Sequence, residues 1–422
     1  DWYHGPRKQC NPKVNDFDMI SILGIVLIPL AAYGFSTNRS AINPRTVLGA
    51  FIIQAGLGFL VLYVPAGKQL LATLADSVAS LLTYTKAGTA FLFGQLVEQD
   101  MGFIFALNAL PVIVFFSSLV AVLYHLGIMS WVIRGIGGSL KALIKTSHAE
   151  SMSAAANIFI GQTEAPLVVR PYLAGMTRSE LFAVMVGGLA SIAGSVMAGY
   201  AALGIELKYL LAACFMAAPG GLMMAKIVLP ETEEPQTEFS ESADGGGEKY
   251  VNIFDAAASG ALTGLQMALA VGAMLLAFIS LIALLNGLLG WAGESVGING
   301  LTIELLLGYL FQPVAFLLGI PWSESNIAGG LIGQKLVLNE FVAYISFLSV
   351  APDLGERSQA IVIFALCGFA NFSSIAILLG GIGALAPSRR RDISLLGVRA
   401  LVTATLVNLM SAALAGFFLT LA

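Results

Sequence analysis

The chain of 422 residues reads as long apolar runs joined by short polar connections. The intervals 102–133, 181–205, 258–293, 358–388 and 400–422 contain no Asp, Glu, Lys or Arg. A helix needs about 20 mostly apolar residues to cross a bilayer, and each of these runs reaches that length. The pattern predicts eight crossings, at 19–37, 46–64, 103–127, 181–203, 208–229, 258–290, 359–385 and 396–421. Residues 66–100 and 130–146 mix apolar with polar positions, the latter placing Arg134, Lys141 and Lys145 among apolar neighbours. Both segments are expected to lie along the membrane interface.

Two stretches break the pattern. Basic loops such as "STNRSAINPR" and "APSRRR" (386–391), with Arg134, Lys141, Lys145, Arg170 and Arg178, belong on the cytoplasmic side by the positive-inside rule. Eight crossings satisfy this only if both termini lie outside and if 150–176 and 321–350 do not cross. The first would enter and return from the cytoplasm, the second from outside, as two opposed re-entrant hairpins. The segments that follow are matched: "GGLASIAGS" (187–195) after the first and "CGFANFSSIAI" (367–377) after the second. Gly, Ser and Asn stand there where lipid would favour Leu. Interrupted helices at corresponding places in two halves point to an inverted repeat with a central transport site.

Composition narrows the class further. The chain is 57% hydrophobic and 11% charged, with mean hydropathy +0.85. A soluble domain carries about a quarter charged residues, so bilayer lipid is the solvent and partner this chain requires. The formal net charge of −4 is small and spread over loops, which gives no basis for a nucleic-acid partner. Cys10, Cys214 and Cys367 show no metal or disulfide spacing and are read as incidental. Residues 1–18 form a polar leader of the kind an expression vector adds. Residues 230–250 form an acidic, Gly-rich loop, and the connection between Gln99 and Phe103 looks short. An enzyme is not expected: there are three histidines, no HExxH, no GxSxG and no aspartate inside an uncharged span. A channel would show repeated pore-lining rings, which two unlike hairpins do not offer.

The candidate chemistry gathers in the interrupted segments. Glu164 sits in "GQTE" at the tip of the first hairpin, and Glu340 lies between "LVLN" and "FVAY" in the second. A carboxylate at membrane depth costs a few kcal/mol and marks function by default. The plain alternative for Glu164 is an interfacial charge near Arg170. For Glu340, Lys335 is a candidate structural counter-ion, at a spacing poor for helical pairing. Asn157, Gln162, Thr163, Ser191, Asn339, Asn371, Ser373 and Ser374 add amides and hydroxyls. Singly these residues bridge packed helices; as a set with two acids they suit a neutral solute bearing hydroxyls and a heteroatom ring. Pro166 and Gly161 free backbone groups, and unwound carbonyls beside Asn157 and Ser191 would suit a small hard cation.

"ESMSAAANIFIGQTEAPLVVRP", "NEFVAY" and "CGFANFSSIAILLGG" resemble the characteristic segments of the concentrative nucleoside transporter family. The resemblance runs from Met19 to the C-terminus. It implies an all-α membrane protein with eight transmembrane helices, two opposed re-entrant hairpins in an inverted repeat and interfacial helices, assembled as a homotrimer in the bacterial inner membrane. It implies sodium-driven nucleoside import by alternating access, with proton coupling as the alternative within the class and a polar-solute channel outside it. By similarity, Gln162, Thr163 and Glu164 contact the nucleobase, and Glu340, Asn371 and Ser374 hold the ribose hydroxyls. Phe369, Val196 and Met267 form apolar walls, Met267 standing where the family pattern leads one to expect leucine. Sodium is implied at the Asn157 side chain, the Ile160 carbonyl, the Ser191 side chain and the Ile192 carbonyl. Uridine-like substrates are favoured.

The expected organisation follows. Residues 19–148 supply scaffold and interfacial helices. Residues 149–229 hold the first hairpin, a broken helix and the next span, and 230–257 the acidic cytoplasmic loop and an interfacial segment. Residues 258–320 give a scaffold span and connection, 321–393 the second hairpin and its broken helix, and 394–422 the final span.

Overall fold

The computed structural model describes residues 15–98, 104–235, 250–295 and 297–421, and among these there is no strand. The polar leader, the acidic loop from 236 to 249 and the short connection at 99–103 fall largely or wholly outside the described residues. The chain begins with α1 (Asn15–Gly34), α2 (Pro44–Leu62), α3 (Pro65–Thr83), α4 (Thr85–Phe93), α5 (Gln95–Glu98), α6 (Phe105–Asn108), α7 (Leu110–His125) and α8 (Ile128–Ile144). The first hairpin comprises α9 (His148–Ala156), α10 (Ala165–Val168) and α11 (Arg170–Leu173). The broken helix α12 (Arg178–Ala190) and α13 (Gly194–Ala202) comes next, then α14 (Leu207–Val228) and the 43-residue α15 (Ile253–Ser295). The second half holds α16 (Ile303–Leu317), α17 (Trp322–Val337), α18 (Glu340–Val350), the broken helix α19 (Glu356–Leu366) and α20 (Phe372–Leu385), and α21 (Arg390–Leu421).

Six segments among the described residues are long and apolar enough to cross a bilayer: 44–62, 105–125, 178–202, 207–228, 253–295 and 387–421. Shorter apolar helices at 20–34 and 372–385 fall where the other two crossings were expected. The second of these is short because 359–385 is not one helix; it breaks between Leu366 and Phe372. One element goes beyond the expected connection. Residues 303–317 form an apolar helix, α16, that packs along α17 after a bend of 116°.

Local sequence sets the ends of the elements that matter. Ser147 caps α9 and Thr177 caps α12, each in a reciprocal box with the glutamate three residues on, Glu150 and Glu180. Such S/T-x-x-E boxes satisfy amide donors that a helix start leaves open. Pro166 sits in the first turn of the returning α10, where a missing N–H costs little. In the second half, Asn339 caps α18 and Asn371 caps α20 by accepting from the amides of Val342 and Ser374. Two polar residues that stood out in apolar sequence are therefore the starts of half-helices inside the protein.

Burial separates a core from a periphery. The apolar window of 178–202 is 100% buried and that of 207–228 is 89% buried, against 17% for 253–295 and 22% for 105–125. The broken helix α12–α13, the hairpin helix α9, α14 and α19 are therefore interior, with α21 packed against α12, α14 and α19, whereas α20 buries only part of its surface. The long α15 packs along α7 at the periphery. Gly260 and Gly264, four residues apart, face α7 there. A Cβ on Gly264 would stand 2.8 Å from the Val114 Cα, so the two backbones approach closely through small residues, as membrane helices commonly do. The other side of α15 exposes Leu262, Leu265, Leu269 and Leu276.

Candidate functional site

The first hairpin turns around where its apolar run gives way to Gly161-Gln162-Thr163-Glu164. The α9 helix stops at Asn157, and a carboxylate oxygen of Glu164 accepts from the Gly161 amide at 3.3 Å, closing the tip on itself. Gln162 is buried, and its amide NH2 reaches the Ser374 hydroxyl at 3.4 Å, linking the first hairpin to α20 across 212 residues of sequence. Its carbonyl oxygen is buried without a partner. Thr163 is exposed beside Gly381 of α20, where a Cβ would stand 3.1 Å from the threonine methyl.

The second hairpin brings Glu340 to the start of α18, 4% exposed. One carboxylate oxygen accepts from the Tyr200 hydroxyl at 2.9 Å, the other from the Asn371 amide at 3.0 Å. Asn371 cannot turn its amide over without loss, because its carbonyl oxygen accepts from the Ser374 amide (2.9 Å) and the Ser373 hydroxyl (2.7 Å). Gln162, Ser374, Asn371, Glu340 and Tyr200 thus form one polar chain joining both hairpins to both broken helices. A carboxylate has about four acceptor positions; two are used here, so two more hydrogen bonds can be accepted. Both caps also aim helix N-termini, with their partial positive charge, at this region.

The proposed walls fall at the same junctions. Phe369 is half-buried in the break between α19 and α20, 4.0 Å from where a Cβ on Gly161 would stand. Val196 is buried on the first turn of α13. Its neighbour Ser195 donates to the Met267 sulfur at 3.5 Å, so Met267 brings α15 against the broken helix.

Asn157 is 1% exposed, and neither its carbonyl oxygen nor its NH2 has a hydrogen-bond partner. It lies over the glycine pair of α12: a Cβ on Gly187 would stand 3.1 Å from the Asn157 nitrogen. Ser191, at the end of α12, returns its hydroxyl to the Gly187 carbonyl at 3.1 Å. The hairpin tip is stitched to this break, the Gly194 amide donating to the Phe159 carbonyl at 2.9 Å. The backbone unwinds at Ile160 and again at Ile192, both buried. A buried, unpartnered amide over the end of α12, with a hydroxyl at Ser191 and non-helical backbone at Ile160 and Ile192, supplies oxygens of the kind that fit a small hard cation such as sodium. No cluster of His, Cys, Asp or Glu fit for a metal occurs among the described residues, as a neutral oxygen site requires none.

Lys335 makes no direct ion pair with Glu340. Its ammonium donates to the Ala365 carbonyl at 2.9 Å and to the Asn408 side-chain oxygen at 2.5 Å. The NH2 of Asn408 in turn donates to the carbonyls of Ala190 (2.7 Å) and Cys367 (2.8 Å), one at each helix break. Gly368 makes room for this amide, since a Cβ there would stand 2.6 Å from Asn408 and 2.8 Å from the Ala190 oxygen. Backbone and a buried amide cannot both yield, so Gly368→Ala should destabilise the protein by about 1–3 kcal/mol; a lowered melting temperature in detergent checks this. Cys214 and Cys367 are free, buried thiols 3.9 Å apart, neighbours that their spacing in sequence gave no reason to expect.

Sequence reading missed Tyr200 and Asn408. Tyr200 is fully buried, its ring packed on Phe341 and Tyr344 with centroids 4.5 and 4.6 Å away. A tyrosine within an uncharged span, and an asparagine at the middle of the last one, were the available signals.

Two hairpins meeting two broken helices in a buried polar junction define a secondary transporter of the inverted-repeat class. The family follows from sequence and structure together. Residues 23–96 and 209–416 match the N- and C-terminal models of the "Na+ dependent nucleoside transporter" family, and 106–206 match a model described as "Nucleoside recognition". The chain is 51% identical to the nucleoside permease NupC of Helicobacter pylori, over 96% of this chain and 98% of that one. It is 40% identical to sodium/nucleoside cotransporter 1 of Homo sapiens, over 94% of this chain and 63% of the relative. The solved inward-facing, substrate-bound structure of CNTnw superposes with TM-score 0.92 at 53% identity, covering 96% of this chain and 99% of that chain. The chain belongs to the concentrative, Na+-dependent nucleoside transporter family. It is a multi-pass membrane transporter, not an enzyme, that couples nucleoside movement to sodium by alternating access.

Proposed function

We propose that this transporter imports uridine-like nucleosides, holding the ribose at Glu340, Asn371 and Ser374 and the base at Gln162, Thr163 and Glu164. The observation that carries the reading is the buried Glu340, fixed by Tyr200 and Asn371 with acceptor capacity to spare. Vicinal ribose hydroxyls supply two donors to one carboxylate, and charge-assisted bonds of this kind are the strong ones. Gln162 and Thr163 can each donate or accept, matching the mixed edge of a base. Phe369, Val196 and Met267 give the apolar flanks. A substrate lacking the 2′-hydroxyl leaves a buried acceptor unpaired, a cost of about 1–3 kcal/mol. Competition of 2′-deoxyuridine with labelled uridine should show the weaker binding; equal affinities would remove Glu340 from the ribose role.

Sodium is assigned to the Asn157 side chain, the Ile160 and Ile192 carbonyls and the Ser191 side chain. These groups tie the tip of the first hairpin to the break in α12. When they are drawn together they fix Gln162, whose backbone packs against Gly188 of the same helix. Coupling follows, because the arrangement favoured by the cation is the one that presents the base-binding edge.

The moving body in this account is the buried core of hairpins and broken helices, and α7 with α15 is the fixed support. A groove of about 740 Å³ lined by Phe105, Leu203, Leu275, Ile279, Ile345 and Leu348 runs between α15 and the α13 and α18 helices. The exposed apolar face of α15 suits lipid and neighbouring copies in a homotrimer. The location is the bacterial inner membrane with both termini outside.

A further inference from the structure

We propose that the ammonium of Lys335 acts as a tethered cation, clamping the second hairpin to its broken helix and thereby positioning Glu340 for the sugar; this rests on the ribose role given to Glu340. Lys335 is 2% exposed, and its hydrogen-bond partners are a backbone carbonyl and an amide oxygen. A buried charge is costly to keep, and packing α17 against α19 alone needs only small apolar side chains. The charge sits where it has electrostatic use. The last turn of α19, with the Ala365 carbonyl, carries the partial negative charge of a helix C-terminus. Asn408 relays the clamp to the Cys367 carbonyl and to Ala190 at the end of α12. One ammonium and one amide thus gather carbonyls from the C-terminal ends of both broken helices, which those helices leave open.

The geometry links this clamp to the site. Lys335 lies in the last turn of α17, and Leu338 closes that turn by donating to Gln334 at 2.8 Å. Asn339 then starts α18, and Glu340 is its first residue. Fixing the end of α17 therefore fixes where α18 begins and where the carboxylate stands. The first half of the molecule has the counterpart junction without a charge. There the hairpin helix α9 ends at Asn157, with an unpartnered amide over α12. The hairpin in one half offers oxygens to a mobile cation, and the hairpin in the other brings its own. Lys335 is thus a positioning residue that touches no substrate.

The test uses the full-length protein in detergent at saturating sodium, with uridine and 2′-deoxyuridine affinities measured by calorimetry for wild type, Lys335→Met, Lys335→Ala and Glu340→Gln. Lys335→Met should weaken uridine by about tenfold or more and 2′-deoxyuridine by less, so that discrimination at the 2′ position shrinks. A residue needed only for packing would lower both affinities together. Adding n-propylammonium, which fits the space vacated by the side chain, should restore uridine binding to Lys335→Ala. Wild-type affinities in Lys335→Met beside a crippled Glu340→Gln would overturn the clamp and leave the site reading intact. Wild-type affinities in both would overturn the site reading itself. Should Lys335→Met fail to fold, the melting temperature of Lys335→Ala decides: a rise with n-propylammonium supports the clamp, and no rise overturns it.

Discussion

The Glu340→Gln change should weaken uridine binding by about 30- to 1000-fold, a loss of about 2–4 kcal/mol. The size follows from geometry as well as charge. Asn371 presents its NH2 to Glu340 at 3.0 Å and cannot reverse, because its oxygen caps α20. The single oxygen of a glutamine must therefore face Asn371, which leaves its NH2 toward Tyr200. The Tyr200 hydroxyl can rotate and accept, so the fold survives. The ribose, however, meets a donor where it needs an acceptor, and the remaining bond is neutral. Calorimetry on the purified variant, with a melting curve to establish folding, measures this; affinity within about twofold of wild type would take the sugar away from Glu340.

The second large effect is expected at the cation site. Asn157→Ala and Ser191→Ala each remove a side-chain oxygen from the junction between the first hairpin and α12. Both should raise the apparent uridine Kd about tenfold at fixed sodium and flatten its dependence on sodium concentration, since linkage makes the two affinities move together. Neither variant touches the ribose-side chain of Glu340 and Asn371, so discrimination between uridine and 2′-deoxyuridine should persist. That combination separates loss of coupling from loss of the pocket. A raised Kd with unchanged sodium dependence would place the cation elsewhere.

Much of the architecture was legible because membrane depth enforces it. Long uncharged runs marked the spans, and the positive-inside bias turned 150–176 and 321–350 into hairpins. Gly, Ser and Asn in "GGLASIAGS" and "CGFANFSSIAI" marked the two breaks. What lay beyond reach was pairing over long sequence distances. The Tyr200 bond to Glu340 spans 140 residues and the Asn408 bond to Ala190 spans 218, and no local period encodes either. Lys335 shows the same limit: five residues from Glu340 in sequence, it is held instead by Ala365 and Asn408. The asparagines at 339 and 371 were visible as polar anomalies, but their capping role depends on where the half-helices start. The sequence alone gives 303–317 as part of a connection, and that it packs along α17 after a sharp bend depends on tertiary contacts that no local period encodes.

The central claim is that a sodium gradient drives nucleoside through this one buried junction. Radiolabelled uridine uptake into proteoliposomes tests it most directly, with an inward sodium gradient, with equal sodium on both sides, and with a proton gradient alone. The account predicts transient accumulation above equilibrium only with the sodium gradient, absent in Glu340→Gln. Accumulation that follows the proton gradient and ignores sodium would contradict it.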